Sequence, residues 1–361
     1  RLRRDNVEVD ISRKHAERTA IIRTLRTVCD RHEIRLPPQT LTSKRHKAAG
    51  QEIAIPGQRL YGCDIHGCIF TGTEQRGGRA YAPAYQNLSG RARANITIDG
   101  ERVVEVDYKS LHARLAYEKT CPGTLQPGVD PYLFGEVAEH IPGDVVARLM
   151  AKEGIASPEQ AQRKVLKVAF QIALNARNRQ SAEQALQRDF PSSQHYAPAL
   201  FDALCRAHPD VAEKWFFKDG GAQLQVVDSA LILEAVRLCL REGIVVLPVH
   251  DSLVCPRGAA DRVRELMLEA ALRLDLDCLE VRIDDAREDA LAHVLQAIAV
   301  AWTKPGAQHT RSTARPHPST PTSHLITQSL KRANPLEIHD ISETSNLVHR
   351  ISEDLRSLWS I

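Results

Sequence analysis

The spacing of apolar positions changes period several times along the chain, and the changes outline many helices and a few short strands. From about Ile11 to Glu33, Ile21, Ile22, Leu25 and Val28 recur at helical spacing among Lys and Arg, which predicts a basic amphipathic helix. Pro37-Pro38 and the polar stretch from Thr40 to Gly50 end it. Residues 57–100 are rich in Gly, Arg and Tyr and read as irregular or hairpin-like. Val103-Val104-Glu105-Val106-Asp107 is a β-branched run that stops on a carboxylate, and a helix follows through Tyr117. Pro122 to Pro142 reads as loop with a short helix over Tyr132 to His140.

Ser157-Pro158-Glu159-Gln160 is a strong helix start, with Ser as N-cap, Pro at the first helical position and Gln three residues after the cap. That helix is predicted to run to about Asn178, and others cover Ala182 to Gln187, His195 to Arg206, Asp228 to Arg241 (closed by Gly243) and Ala259 to Leu274. Ile244 to Val249 and Leu253-Val254 frame His250-Asp251 as a hairpin with Asp251 at its tip; Pro248 within it points to an edge or a bulge. Cys278 to Ile283 reads as a last strand. Beyond Trp302 the composition shifts to Ser, Thr, Pro, His and Gln, as expected of a disordered tail.

With 361 residues and 43% apolar content, the chain can bury a substantial core in one large domain or two. Its net charge of +3 is unevenly spread: residues 1–59 hold 14 Lys and Arg against 7 Asp and Glu, an excess that suits a polyanion partner or a solvated basic helix. The eight Cys are scattered without a disulfide framework, which fits a reducing, cytoplasmic setting. No apolar run approaches the roughly 20 residues that cross a bilayer, so no membrane partner is expected. The first residue is Arg1 rather than Met, so a native start and a targeting signal can lie upstream.

Asp107 and Asp251 each stand at a strand end, where two carboxylates can hold a pair of divalent cations for phosphoryl transfer. A lone Asp there is more commonly a turn residue or a helix cap. Arg163, Lys167, Gln171 and Asn175 recur every four residues and form one polar stripe, opposite Val165, Val168, Ala169 and Ile172. Two cations on one helix face suit a triphosphate; an ordinary solvated face has the same pattern. A His-Asp dipeptide alone says nothing, since His339-Asp340 occurs in the tail. Cys63-x-x-His66-x-Cys68 supplies most of a zinc site without an obvious fourth ligand, Glu105 shares a strand face with Asp107, and Asp284-Asp285 reads as a surface turn. Gly57, Gly62, Gly67 and Gly72 are wrongly spaced for a phosphate loop.

The order Gly78-Arg79, Gln86-Asn87-Leu88, Asp107-Tyr108 with Arg114, the Arg163/Lys167 helix, Gln225 and His250-Asp251 resembles family A nucleic-acid polymerases, the DNA polymerase I-like and phage single-subunit RNA polymerase-like enzymes. The resemblance covers about 180 residues, Gly77 to Cys255, in a divergent and reduced form. It implies an α+β fold: a palm-like antiparallel sheet with packed helices and a helical fingers insertion. The implied divisions are a basic N-terminal segment over 1–56 (a reduced thumb), palm entry over 57–117, fingers over 118–222, palm over 223–302 and a tail over 303–361.

It also implies template-directed nucleotidyl transfer with two Mg²⁺ (Mn²⁺ can substitute) on Asp107, Tyr108 and Asp251, nucleoside triphosphates at Arg163, Lys167, Gln171, Asn175 and His112, and primer-template nucleic acid at Arg79, Gln86, Asn87, Arg114, Gln225 and His250. His112 replaces the family's Glu, where bulk favours deoxynucleotides and DNA replication; Ser252 follows the RNA polymerase pattern. Lys109 departs from the family's Ser, and Gln171 and Asn175-Ala176 from its aromatic and Tyr-Gly positions; the departures at His112, Gln171 and Asn175 leave a non-catalytic nucleic-acid-binding relic of the palm as an alternative. A metal-dependent phosphodiesterase using the same two carboxylates is another.

Overall fold

The computed structural model describes residues 2–4, 7–9, 15–42, 52–133, 135–190, 193 and 195–285. The chain begins with β1 (Leu2–Arg4), β2 (Val7–Val9), α1 (Ala16–Arg31), β3 (Ile34–Leu36), β4 (Gln39–Thr42), β5 (Glu52–Ile55), β6 (Gln58–Leu60), β7 (Gly67–Thr71) and β8 (Thr73–Tyr81). There follow α2 (Pro83–Gln86), α3 (Gly90–Arg93), β9 (Thr97–Ile98), β10 (Glu101–Tyr108), α4 (Leu111–Glu118), α5 (Gly143–Glu153), α6 (Pro158–Asn175), α7 (Arg179–Asp189), α8 (Ala197–Ala207) and α9 (Pro209–Trp215). The last described elements are α10 (Gly221–Arg241), β11 (Leu247–Val249), β12 (Ser252–Pro256), α11 (Ala260–Leu272) and β13 (Val281–Asp284). The fold is α+β.

The main sheet is antiparallel throughout. β12 lies between β11 and β10, β13 pairs with the end of β10, and the start of β10 continues through β9 and β3 to β6. Alternation in β10 explains its place: Val104, Val106 and Tyr108 are buried, while Glu105 and Asp107 keep partial access on the other face. Helices α10 and α11 pack on the sheet, and Tyr108 Oη donates to the Met267 carbonyl at 2.5 Å, pinning β10 to α11. α10 is buried nearly all round, from Leu224 and Leu231 to Val236 and Cys239, as a central helix must be.

Residues of α1 (Ile22, Leu25, Cys29) and β3 (Ile34, Leu36) share one core with β10, α6 and α10. Some expected elements shift. The helix from Pro158 starts as predicted, with Ser157 Oγ accepting from the Gln160 amide at 3.2 Å, and ends at Asn175. The patterning indicated no helix at 143–153 or 209–215, where α5 and α9 form.

α10 begins at Gly221, well before Asp228; Gly221 permits a close approach, since a Cβ there would lie 2.1 Å from Asn175 Oδ1. Residues 57–100, expected to be irregular or hairpin-like, contain the β7–β8 hairpin, irregular in register near Phe70. The predicted tail, with His339-Asp340, lies outside the described residues. Among those described, no helix is long and apolar enough to cross a membrane.

Gly78 shapes β8 just before Arg79: its φ is 86°, and a Cβ would stand 2.7 Å from Phe70 Cε1. Gly100 has a similar φ of 80° but nothing within 4 Å. Gly100→Ala is expected to cost about 1–2 kcal/mol from the left-handed backbone alone. Gly78→Ala should cost roughly 3 kcal/mol, since the Phe70 ring must also move. Urea unfolding of both variants checks the difference.

Candidate active site

Two strand ends create the centre of the site. The β10–β12 register sets Asp107 opposite Ser252, so the hairpin residue before Ser252, Asp251, lies beside Tyr108; the Tyr108 amide donates to the Asp251 carbonyl at 3.4 Å. His250, at φ 56°, turns the β11–β12 hairpin, and Ser110, at φ 53°, turns β10 into α4. Both acids line one cavity of about 620 Å³.

The four-residue repeat of α6 faces the same space: Arg163, Lys167, Gln171 and Asn175 all line it. His112 and Arg114 of α4, Arg79 of β8, Gln225 of α10, His250 and the 128–132 loop complete the wall. Elements far apart in sequence thus converge on one concave, charge-lined surface. Of the residues expected to act, Gln86 and Asn87 are the two that lie off it.

Charge is densest around Asp251. Burial, reinforced by the negative charge of Asp228 and then Asp107, raises its carboxyl above the ordinary carboxylate range, against the opposing pull of Arg79. The His250 imidazole is held below the usual histidine range by desolvation within the walls and by Arg79. Asp107 accepts from Arg282 of β13 through both oxygens, at 2.8 and 3.1 Å. Arg163 pairs with Asp130, and its guanidinium lies 5.4 Å from the Tyr132 ring centroid. Lys167 is exposed and has no ion pair or hydrogen bond among the described residues, which leaves its charge directed at solvent in the cavity.

Several expected roles change. Gln86 is buried and ties β8 to the hairpin, donating to the carbonyls of Ala80 (3.1 Å) and Pro248 (2.9 Å), so its amide is not free for nucleic acid. Asn87 caps α2 outside the cavity. Arg114 is buried, with donors engaged by the carbonyls of Cys278 (2.9 Å) and Val129 (2.8 Å) and by Glu280; it organises the wall instead of presenting a free cation. The Tyr108 hydroxyl is committed to Met267, so only its main chain can serve a metal.

Ser252 is buried off the cavity, 2.6 Å from Glu105 Oε1 and 2.8 Å from the Val249 carbonyl, and Glu105 is clamped by Arg93 at 2.8 and 3.1 Å. These contacts make both residues structural. Among the described residues no group of three or more His, Cys, Asp or Glu is placed to hold a metal; Cys63 lies in a 3-10 turn over Gly62–Asp64 and Cys68 in β7.

The sequence reading missed Asp228, Asp130, Glu280 and Arg282. Asp228 is fully buried in α10 and accepts from Arg79 Nε at 2.7 Å and again from its Nη2, with His112 Nε2 at 3.1 Å. An acid in the middle of an otherwise apolar helix stretch was the available signal. The β13 neighbours Glu280 and Arg282 alternate along one edge, a pattern that by itself means only a polar strand face.

The oxygen donors of Asp107 and Asp251 suit a hard cation that completes its shell with phosphate oxygens and water, as Mg²⁺ does. Excess negative charge at Asp251 would be relieved by such an ion. Arg282 is half-exposed, so its bond to Asp107 is weak enough to exchange for a metal. No protein-family model and no curated protein matches the chain.

Because the folded-state pKa of Asp251 stands above its unfolded value, the native state binds more protons between the two, and stability falls as pH rises through that window. In metal-free buffer Asp251→Asn is therefore expected to be more stable than wild type at neutral pH. The gain should vanish once pH drops below about 3.9, where the carboxyl is protonated in both states. Urea melts across this range check the sign.

Proposed function

We propose that the chain is a template-directed nucleotidyltransferase of the family A polymerase type, with DNA synthesis as its activity. The observation that carries this reading is convergence in one cavity: two strand-end carboxylates, Asp107 and Asp251, face a helix that presents Arg163 and Lys167. On this reading β10 to β13 with α10 and α11 form the palm, and α5 to α9 the fingers. α1 packs within the common core, so no separate thumb is included.

Asp107 and Asp251, with the Tyr108 main chain, would hold Mg²⁺. The bound ions supply neutralisation of triphosphate charge and activation of the attacking primer hydroxyl. Lys167, without an ion pair or hydrogen bond among the described residues, and Arg163, released from Asp130, bind the β and γ phosphates and stabilise the departing pyrophosphate. Arg79, Gln225 and His250 line the side where the primer terminus lies, and a neutral His250 adds no positive charge that would compete for metal ligands. Gln171 and Asn175 offer amides where the family has aromatic rings, so base-pair stacking on α6 is weak and fidelity correspondingly low.

A second reading, a nucleic-acid-binding relic without catalysis, draws on the Arg282–Asp107 and Arg163–Asp130 pairs, which neutralise two groups that catalysis needs. Primer extension decides between them. With Mg²⁺, primed template and deoxynucleotides, the full chain is expected to extend the primer. Asp107→Ala and Asp251→Ala should each lower the rate by about 10³-fold or more, the scale of losing a two-metal ligand. Lys167→Ala should raise KM for the triphosphate about tenfold, roughly one charge-assisted contact. Duplex binding without extension or Mg²⁺-dependent triphosphate binding would favour the relic.

A further inference from the structure

The mechanism above needs a cation at Asp107, and the folded chain already supplies one. β13 sets Arg282 directly opposite Asp107. Nε donates to Oδ1 at 2.8 Å and Nη2 to Oδ2 at 3.1 Å, a two-pronged pair that engages both carboxylate oxygens. A divalent cation at Asp107 needs the same oxygens, and its charge repels the guanidinium. The two therefore exclude each other, and Arg282 stands on the cavity wall as the internal competitor.

Arg282 also has a second acceptor within reach. Asp284, two residues on and on the same face of β13, has Oδ2 at 3.5 Å from Nη2. Asp284 is not part of the main cavity wall; it lines a separate small recess with Glu105 and Arg93. Glu105, which faces Asp284 across the strands, is held by Arg93 and Ser252 and so does not compete for Arg282. The guanidinium thus lies between two carboxylates, one on the cavity and one off it. Rotation about side-chain torsions carries it from the first to the second without moving β13. Half of the Arg282 side chain is exposed, so water can solvate it during the exchange.

We propose that Arg282 is a tethered counter-ion that gates the metal site: it closes Asp107 when divalent cation is scarce, and a binding cation displaces it onto Asp284. The inference rests on the reading in which Asp107 and Asp251 hold metal. In the closed state Arg282 offsets the mutual repulsion of Asp107 and Asp251, so the gate stabilises the metal-free protein while it weakens metal binding. Any cation beside Asp107 would do both. Dependence on Asp284 is what distinguishes a gate with a resting place from simple opposition of charge.

The test is Mn²⁺ binding to the full chain without nucleotide or primer, read from the loss of the free-ion EPR signal. Asp251→Asn identifies the share of binding that belongs to this site. Arg282→Gln is expected to bind Mn²⁺ there about fivefold more tightly than wild type, the scale of one half-exposed ion pair. Without metal it should unfold at a lower temperature than wild type, and saturating Mn²⁺ should raise its Tm by more. Asp284→Asn should weaken Mn²⁺ binding about threefold when Arg282 is present and have little effect in the Arg282→Gln background. If Arg282→Gln does not fold, Arg282→Lys, which gives up the two-pronged pair, serves instead with a gain in the same direction. Equal Mn²⁺ affinity with and without Arg282, or an Asp284→Asn effect of the same size in both backgrounds, would overturn the proposal. Absence of Asp251-dependent Mn²⁺ binding in wild type and in every Arg282 variant would overturn the metal-site reading and the gate with it. The expected Mn²⁺ behaviour without primer extension would uphold the gate and overturn the polymerase reading alone.

Discussion

The antiparallel pairing of β10 with β12 is the constraint on which the site depends. A one-residue slip would turn Asp107 to the packed face and carry Asp251 away from Tyr108, because side chains alternate faces along a strand. The register is held from both sides. Val104, Val106 and Tyr108 are buried on the helical face. On the other, Glu105 joins Arg93 to Ser252, so a polar clamp ties β10 to the first residue of β12. Two like charges are thus kept close in a partly desolvated place, which an isolated hairpin could not sustain.

The rest of the architecture offsets that repulsion. Arg282 of β13 pairs with Asp107, Arg79 of β8 pairs with Asp228 and attracts the Asp251 charge, and Arg114 holds Glu280 and the Val129 carbonyl. α6 supplies the opposing wall through a face whose polar positions recur each four residues, while Ala161, Val165, Ala169 and Ala173 keep its other side in the core. At its C-terminal end α6 lies close to α10, where Gly221 leaves room for the Asn175 side chain. The cavity is the space left where these packed elements cannot meet.

Much of this was legible in the sequence because it is local. A β-branched run ending in Asp, a Ser-Pro-x-Gln helix start and a four-residue polar repeat each encode one element and one face. What was not legible depends on partners chosen by tertiary packing. Gln86 and Arg114 were expected at nucleic acid, yet nearby carbonyls take their donors. Asp228 sits in a helix whose true start the Gly220-Gly221 pair conceals, and its meaning appears only when β8 lies across it. Ser252, which pointed toward RNA synthesis by resemblance, is a strand-tying hydroxyl.

On the proposed function, Asp107 and Asp251 would share metal while the α6 cations hold a triphosphate. A crystal structure of the full chain with Mn²⁺, primer-template and a non-hydrolysable deoxynucleoside triphosphate tests it most directly, since anomalous scattering locates the metal. The expected result is Mn²⁺ density at Asp107 and Asp251, Arg282 withdrawn from Asp107, and the β and γ phosphates at Arg163 and Lys167. Triphosphate bound elsewhere, or a cavity with nucleotide but with Arg282 still on Asp107 and no metal, would contradict it.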